Sequence, residues 1–329
     1  MLLGILFVLS YALGTPGYDV PGLPFACLAP FLALTASAPS VRRGAWRGWV
    51  AGTAASIPLY YWIAHTVAVE GKLGWLPGSL AAFLVSAYLG AYISFAGAAA
   101  RRLTERLGER GLWAFPFAWV GLEVARSYLL TGFPWMLLGY ALSGSPSLRL
   151  AADIAGVLLA LSGVSVYLAG RSLSEHAWRT ALLRALPSVV AVSFLYVYGV
   201  VSLAGRDAAA PPPGPPVKVA IAQGAVDQHA KWDPENQANT LTLYEQLTVE
   251  AREAGALVVV WPETAAPFFY GWEAPLSRRL DGIAARAGVP LVFGAPWFDP
   301  GEGGKYYNSV FCTDARGVLA GRYDKRRLV

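Results

Sequence analysis

Between Leu2 and Leu203 the chain repeats one pattern, a long apolar stretch followed by a short polar loop and then another apolar stretch. Such stretches fall at about 2–13, 19–37, 46–68, 78–100, 112–130, 150–170 and 181–204. All but the first approach the ~20 residues that a helix needs to cross a bilayer. The pattern predicts an α-helical membrane bundle of about seven spans over residues 1–207. The first stretch has no basic residues ahead of it and no small-residue cleavage site, so it reads as a retained helix rather than a signal peptide.

Charge placement supports a membrane and predicts an orientation. Of the 329 residues, 55% are hydrophobic and only 14% charged, too apolar for an ordinary soluble domain. The pI near 9.2 could point to nucleic acid. However, the basic excess lies between apolar runs rather than on a compact face, so no nucleic-acid partner is expected. Arg42, Arg43 and Arg47 lie in one loop, Arg101, Arg102, Arg106 and Arg110 in another, and Arg171, Arg179 and Arg184 in a third. The alternate loops hold only Lys72 and Arg149. By the positive-inside rule the Arg-bearing loops are cytoplasmic, which places everything after Leu203 outside. Within the spans, Glu123, Arg126 and Asp153 are the main charges. Glu123 and Arg126, spaced i,i+3, read as a pair that neutralise each other, although an intramembrane charge is also a functional candidate.

After the last span the pattern changes. Residues 208–216, AAAPPPGPP, form a stiff extended linker. From residue 217 to 329 the order is β-α-β-α-β and then a β-hairpin: VKVAIAQ, a helix over about 236–254, ALVVVWP, a helix over 274–288, PLVFGAP, and a hairpin turning at Ala315–Gly317. That order predicts an α/β layered domain with a mostly parallel core sheet, and in such sheets active sites form at the carboxyl ends of strands. Glu263 follows the second strand and Lys325 the last. Taken singly, Glu263 could be a helix-terminal charge and Lys325 one cation of an exposed KRR run. Trp232 follows the end of the first strand and is expected to line the same site. The histidines are not spaced as metal ligands, so no metal or other cofactor is expected.

WPET after an apolar strand, followed by GRYDKRRLV, resembles the nitrilase superfamily, and the preceding spans narrow the resemblance to the apolipoprotein N-acyltransferase family. TGFPWMLLGY (131–140) and QGAVDQHAKWDPE (223–235) agree with that family's pattern. The resemblance implies a nitrilase-type αββα sandwich, present here in part, with Glu263 as general base and Lys325 as the cation that stabilises the oxyanion. It implies transfer of an acyl chain from a phospholipid, through a Cys thioester, to the α-amine of a diacylglyceryl-cysteine apolipoprotein. It also implies a location in the bacterial inner membrane, with residues 217–329 on the periplasmic side, and a monomer. Desolvation in an apolar setting is expected to raise the proton affinity of Glu263. The family's nucleophilic Cys follows the Lys, whereas Cys27 and Cys312 precede it and read as buried, inert thiols. The chain is therefore expected to be a truncated, inactive form. A membrane-tethered amidase and a non-enzymatic bundle with a degenerate outer domain remain as alternatives.

Overall fold

The computed structural model describes residues 1–207, 214–301 and 303–326, so most of the Pro-rich linker (Ala208 to Pro213) lies outside the described residues. The chain divides into two compact units, Met1–Ala210 and Pro211–Val329.

The first unit is helical: α1 (Leu2–Leu13), α2 (Leu23–Ala26), α3 (Leu28–Ala36), α4 (Val41–Tyr60), α5 (Trp62–His65), α6 (Trp75–Leu107), α7 (Phe115–Tyr128), α8 (Ala152–Ser174) and α9 (Trp178–Asp207). Among the described residues, three helical stretches are long and apolar enough to cross a membrane: Trp75–Tyr128, Leu148–Ser174 and Trp178–Arg206. That is a coarser result than seven spans. The stretch expected at 19–37 starts after a left-handed Gly22 and is broken at Cys27 into α2 and α3. The stretch expected at 46–68 ends its regular helix at Tyr60, with Pro58 two residues before.

Close helix packing organises this unit. Gly44, Gly48 and Gly52 fall one turn apart on α4 and meet α6. A Cβ on Gly48 would lie 2.7 Å from the Ile93 carbonyl oxygen, and one on Gly97 would lie 2.5 Å from that of Gly44. Small residues at four-residue spacing let two backbones approach where no hydrophobic effect drives helices together in lipid. This spacing is legible in the sequence, although the apolar pattern alone does not single it out.

Glu123 and Arg126 do not pair as expected. Glu123 Oε1 accepts from the Leu138 amide at 2.7 Å, while Arg126 Nη2 donates to the carbonyls of Trp135 at 3.1 Å and Met136 at 3.4 Å. Tyr60 Oη also donates to the Trp135 carbonyl at 3.0 Å. Residues 132–137 have an irregular backbone, with Met136 at φ 52°, so the amides and carbonyls around this turn are not all paired with one another as in a helix. Polar side chains from α4 and α7 satisfy them instead, because an unpaired buried group costs more than the bond gains.

The second unit holds β1 (Val219–Ile221), α10 (Gln228–Lys231), α11 (Pro234–Glu253), β2 (Val258–Val260), α12 (Ala274–Ala287), β3 (Leu291–Asp299), β4 (Lys305–Thr313) and β5 (Leu319–Asp324). Asp233 caps α11 by accepting from the Glu235 amide at 3.1 Å, with Pro234 at the first helical position. Past the end of α11 the chain turns at Gly255, φ 87°. The five strands form one sheet in sequence order. β1–β2 and β2–β3 are parallel, whereas β3–β4 and β4–β5 are antiparallel. The sheet is thus mixed rather than mostly parallel, because the long β3–β4–β5 meander contributes more ladder than the three-residue β1 and β2. Val259, Leu291, Phe293 and Phe311 are buried in one core with Leu241 and Tyr244 of α11 and Leu280 and Ile283 of α12. The other face of the sheet carries exposed Val219, Ile221, Val310 and Tyr323.

Candidate active site

β2 delivers the candidate base. Its register is held by the Trp261 amide, which donates to the Val292 carbonyl at 2.8 Å. The Trp261 indole stacks on Tyr244, with centroids 4.9 Å apart, and donates to Thr248 Oγ1 at 3.0 Å. Pro262 then ends the strand. The chain turns through Glu263 and a left-handed Thr264, φ 53°, and the Ala266 amide rejoins β3 at the Gly294 carbonyl, 3.1 Å away. Gly294 permits this turn. A Cβ there would lie 2.4 Å from the Thr264 nitrogen and 2.8 Å from the Glu263 Cα. No real side chain tolerates those distances, so glycine at 294 fixes how closely the Glu263 backbone lies on β3.

Three strands converge on the carboxylate. Lys325, just past β5, places Nζ 3.1 Å from Glu263 Oε1. Asn308 of β4 donates from Nδ2 to the same oxygen at 2.6 Å. The Lys325 amide donates to the Asn308 carbonyl at 2.9 Å, so one backbone bond sets the spacing of the two donors. From α10, Lys231 Nζ donates to the Glu263 backbone carbonyl at 3.3 Å. A cleft of about 220 Å³ adjoins these groups, lined among others by Gln223, Lys231, Tyr244 and Glu263.

The environment of Glu263 reverses one expectation. Its side chain is 62% exposed, because the turn after Pro262 carries it out of the core. Its carboxyl titrates below the ordinary value, chiefly because Lys325 and then Asn308 hydrogen-bond the charged form, which outweighs the small desolvation that would raise it. Desolvation acts instead on Lys231, whose ammonium is pushed down by burial and only partly supported by Glu263. Since the folded carboxyl lies below its unfolded value near 4.3, its contribution to stability is present above about pH 4.3 and is lost as pH falls through the folded value. Lys325→Met should therefore raise the Glu263 midpoint toward the ordinary range. Carbon-13 NMR titration of labelled Glu carboxyls would read the change, and an unmoved midpoint would mean that Lys325 does not hold this carboxylate in solution.

The structure thus brings Glu263 and Lys325 into contact and adds Asn308 and Lys231, which the sequence alone did not mark. Asn308 sits in the unremarkable strand YYNSVF, and Lys231 is one position from the chosen Trp232. Trp232 itself is about half-exposed and is not among the side chains lining the cleft. Neither thiol is placed to react here. Cys27 is buried in the helical core, its Sγ donating to the Pro24 carbonyl at 3.5 Å. Cys312, half-buried rather than buried, lies four residues along β4 from Asn308, or ~14 Å at strand rise.

Residues 3–170 match the apolipoprotein N-acyltransferase N-terminal domain, and residues 218–329 match carbon-nitrogen hydrolase. An apolipoprotein N-acyltransferase of Geobacter metallireducens is 36% identical over 336 residues, covering 100% of this chain and 63% of its own. The one of Chromobacterium violaceum is 33% identical, covering 86% of this chain and 53% of its own. That of Methylococcus capsulatus is 34% identical over 67% of this chain and 42% of its own. The chain therefore spans 63% or less of the length of these curated relatives. With the N-terminal family domain matched over residues 3–170 of the helical unit and a carbon-nitrogen hydrolase domain following it, this membrane protein belongs to the apolipoprotein N-acyltransferase family.

Proposed function

We propose that this chain carries the membrane bundle and the Glu–Lys part of the active site of an enzyme that N-acylates lipoproteins. The observation that carries the reading is the Glu263–Lys325 contact at 3.1 Å, reinforced by Asn308, at the carboxyl end of β2. In the reaction, Glu263 takes the proton of a thiol as it attacks a phospholipid ester and returns it to the lysophospholipid alkoxide that leaves as the thioester forms. It then takes a proton from the incoming α-amine and returns it to the thiolate expelled as the amide forms. Lys325 offsets the negative charge that develops on the tetrahedral oxygen, usually the largest electrostatic contribution in acyl transfer. Lys325 serves both steps by also holding Glu263 ionised. The nucleophile is a cysteine thiol other than Cys27 and Cys312. The acceptor is the diacylglyceryl-cysteine at an apolipoprotein's N-terminus. Exposed Trp75, the first residue of α6, and Trp135, between α7 and α8, support a lipid donor, since such rings sit at the headgroup level. The proposal includes seven crossings, residence in the bacterial inner membrane, residues 217–329 on the periplasmic side, a monomeric enzyme, and a substrate that reaches beyond the cleft to Trp232, next to Lys231.

The test is reconstitution of the chain, extended to the length of its relatives, with a phospholipid labelled in its acyl chain and a diacylglyceryl-cysteinyl peptide. N-acylated peptide in the mass spectrum is the expected product. Hydrolysis of small amides without peptide acylation would overturn the reading in favour of a membrane-tethered amidase.

A further inference from the structure

The helical unit contains two adjoining clefts that share no residue with the Glu263 site. The first, about 570 Å³, runs between α1, α3 and α4 and is lined by apolar groups that include Ile5, Leu9, Leu34 and Val50. The second, about 660 Å³, surrounds the start of α4 and is lined by Ser40, Arg42, Arg43, Trp46, Trp49 and Ser94, among others. Trp46 lines both. No Asp or Glu lines either one.

The two clefts differ in chemistry along one helix. Arg42 and Arg43 are exposed in the first turn of α4, which has no acidic residue, and no ion pair occupies either guanidinium among the described residues. Cations at a helix N-terminus face the positive end of the macrodipole, so this corner concentrates positive charge that a bound anion would relieve. Arg47 is pinned at the rim by donating from Nη1 to the Leu34 carbonyl at 2.9 Å. Trp46 stacks on Trp49 with centroids 5.2 Å apart, and Trp49 is tied to the Ala87 carbonyl at 3.1 Å. From Arg43 to Ala54 the helix rises about 16 Å at 1.5 Å per residue. That length begins in guanidinium groups, passes an amphipathic indole and ends in an exposed apolar groove.

We propose that this paired cleft binds one anionic phospholipid. Its phosphodiester lies against Arg42 and Arg43, its glycerol against Trp46, and one acyl chain in the groove between α1 and α4. Guanidinium groups bind phosphate oxygens in bidentate fashion, and the adjoining groove is of the size expected for a small-molecule site. A free phosphate would use only the first half of this arrangement, and a zwitterionic lipid would gain little from the unpaired arginines.

The experiment is quenching of Trp46 fluorescence by brominated lipid in phosphatidylcholine bilayers containing the full chain. The Trp46 signal is taken as the difference from Trp46→Phe. Brominated phosphatidylglycerol should quench at a mole fraction roughly 25-fold below that of brominated phosphatidylcholine, about fivefold for each arginine. Arg42→Gln/Arg43→Gln should remove the preference, and Val50→Trp, which fills the groove without touching the arginines, should weaken quenching by both lipids. Equal quenching by the two lipids in the unaltered chain would overturn the proposal. So would a preference that survives in the double variant, or one abolished by millimolar inorganic phosphate. None of these readings depends on acyl transfer.

Discussion

Replacing Glu263 by Gln is expected to lower the proposed acyl transfer by about 100-fold or more, the usual contribution of a positioned general base. Gln keeps the oxygen that accepts from Asn308, so the turn after β2 should persist. It cannot take a proton, and it leaves Lys325 without its carboxylate partner. Because that ion pair is largely exposed, its loss should change stability little. The measurement is acyl-thioester formation in a single turnover with labelled phospholipid, in a chain extended to the length of its relatives. A variant that forms the thioester at a near-normal rate would make Glu263 a surface charge that happens to meet Lys325. The exposed, salt-bridged state of this carboxylate sharpens the expectation. A base held below the ordinary carboxylate range is ionised throughout neutral pH, so the Glu263 limb of the rate profile should lie below about pH 4.3.

Gly294→Ala is expected to be damaging although it adds one methyl group and removes no functional atom. The new Cβ would sit 2.4 Å from the Thr264 nitrogen, a backbone atom that cannot rotate away. Either β3 shifts or the turn carrying Glu263 lifts. Overpacking of this kind costs about 3 kcal/mol. A displacement near 1 Å at the proposed base can cost ~100-fold in rate. Thermal unfolding followed by strand-region hydrogen exchange would show the loss, centred on β3 and the turn at 262–266. Gly294→Ala with unchanged melting temperature and unchanged turnover would mean that the turn accommodates the methyl group by a movement that the carboxylate does not feel.

Both expectations depend on contacts with very different legibility in the sequence. The alternation of β-branched strands and amphipathic helices after residue 217, the helix end at Gly255, and the apolar segments of residues 1–207 are local. A short window contains the periodicity and end signals that specify them, so their order was legible. WPET and YDK were legible as a motif because its residues are contiguous. The pairing expected for Glu123 and Arg126 failed for a related reason. Helical spacing shows that two side chains can meet, but it does not show that the amides of 131–140 lie closer.

What a short window does not contain is the environment of a side chain. The sequence determined that a carboxylate follows an apolar strand and that a lysine follows the last one. Tertiary structure decided that the chain after Pro262 turns outward and that Gly294 lets it lie on β3. It also decided that Asn308 and Lys325, 45 and 62 positions away, meet one oxygen of Glu263. Proton affinity depends on solvent exclusion against the charges and donors within a few ångströms. Those neighbours come from strands whose pairing closes long loops. The residue could therefore be read from the sequence, while the downward direction of its pKa was set only when the sheet assembled.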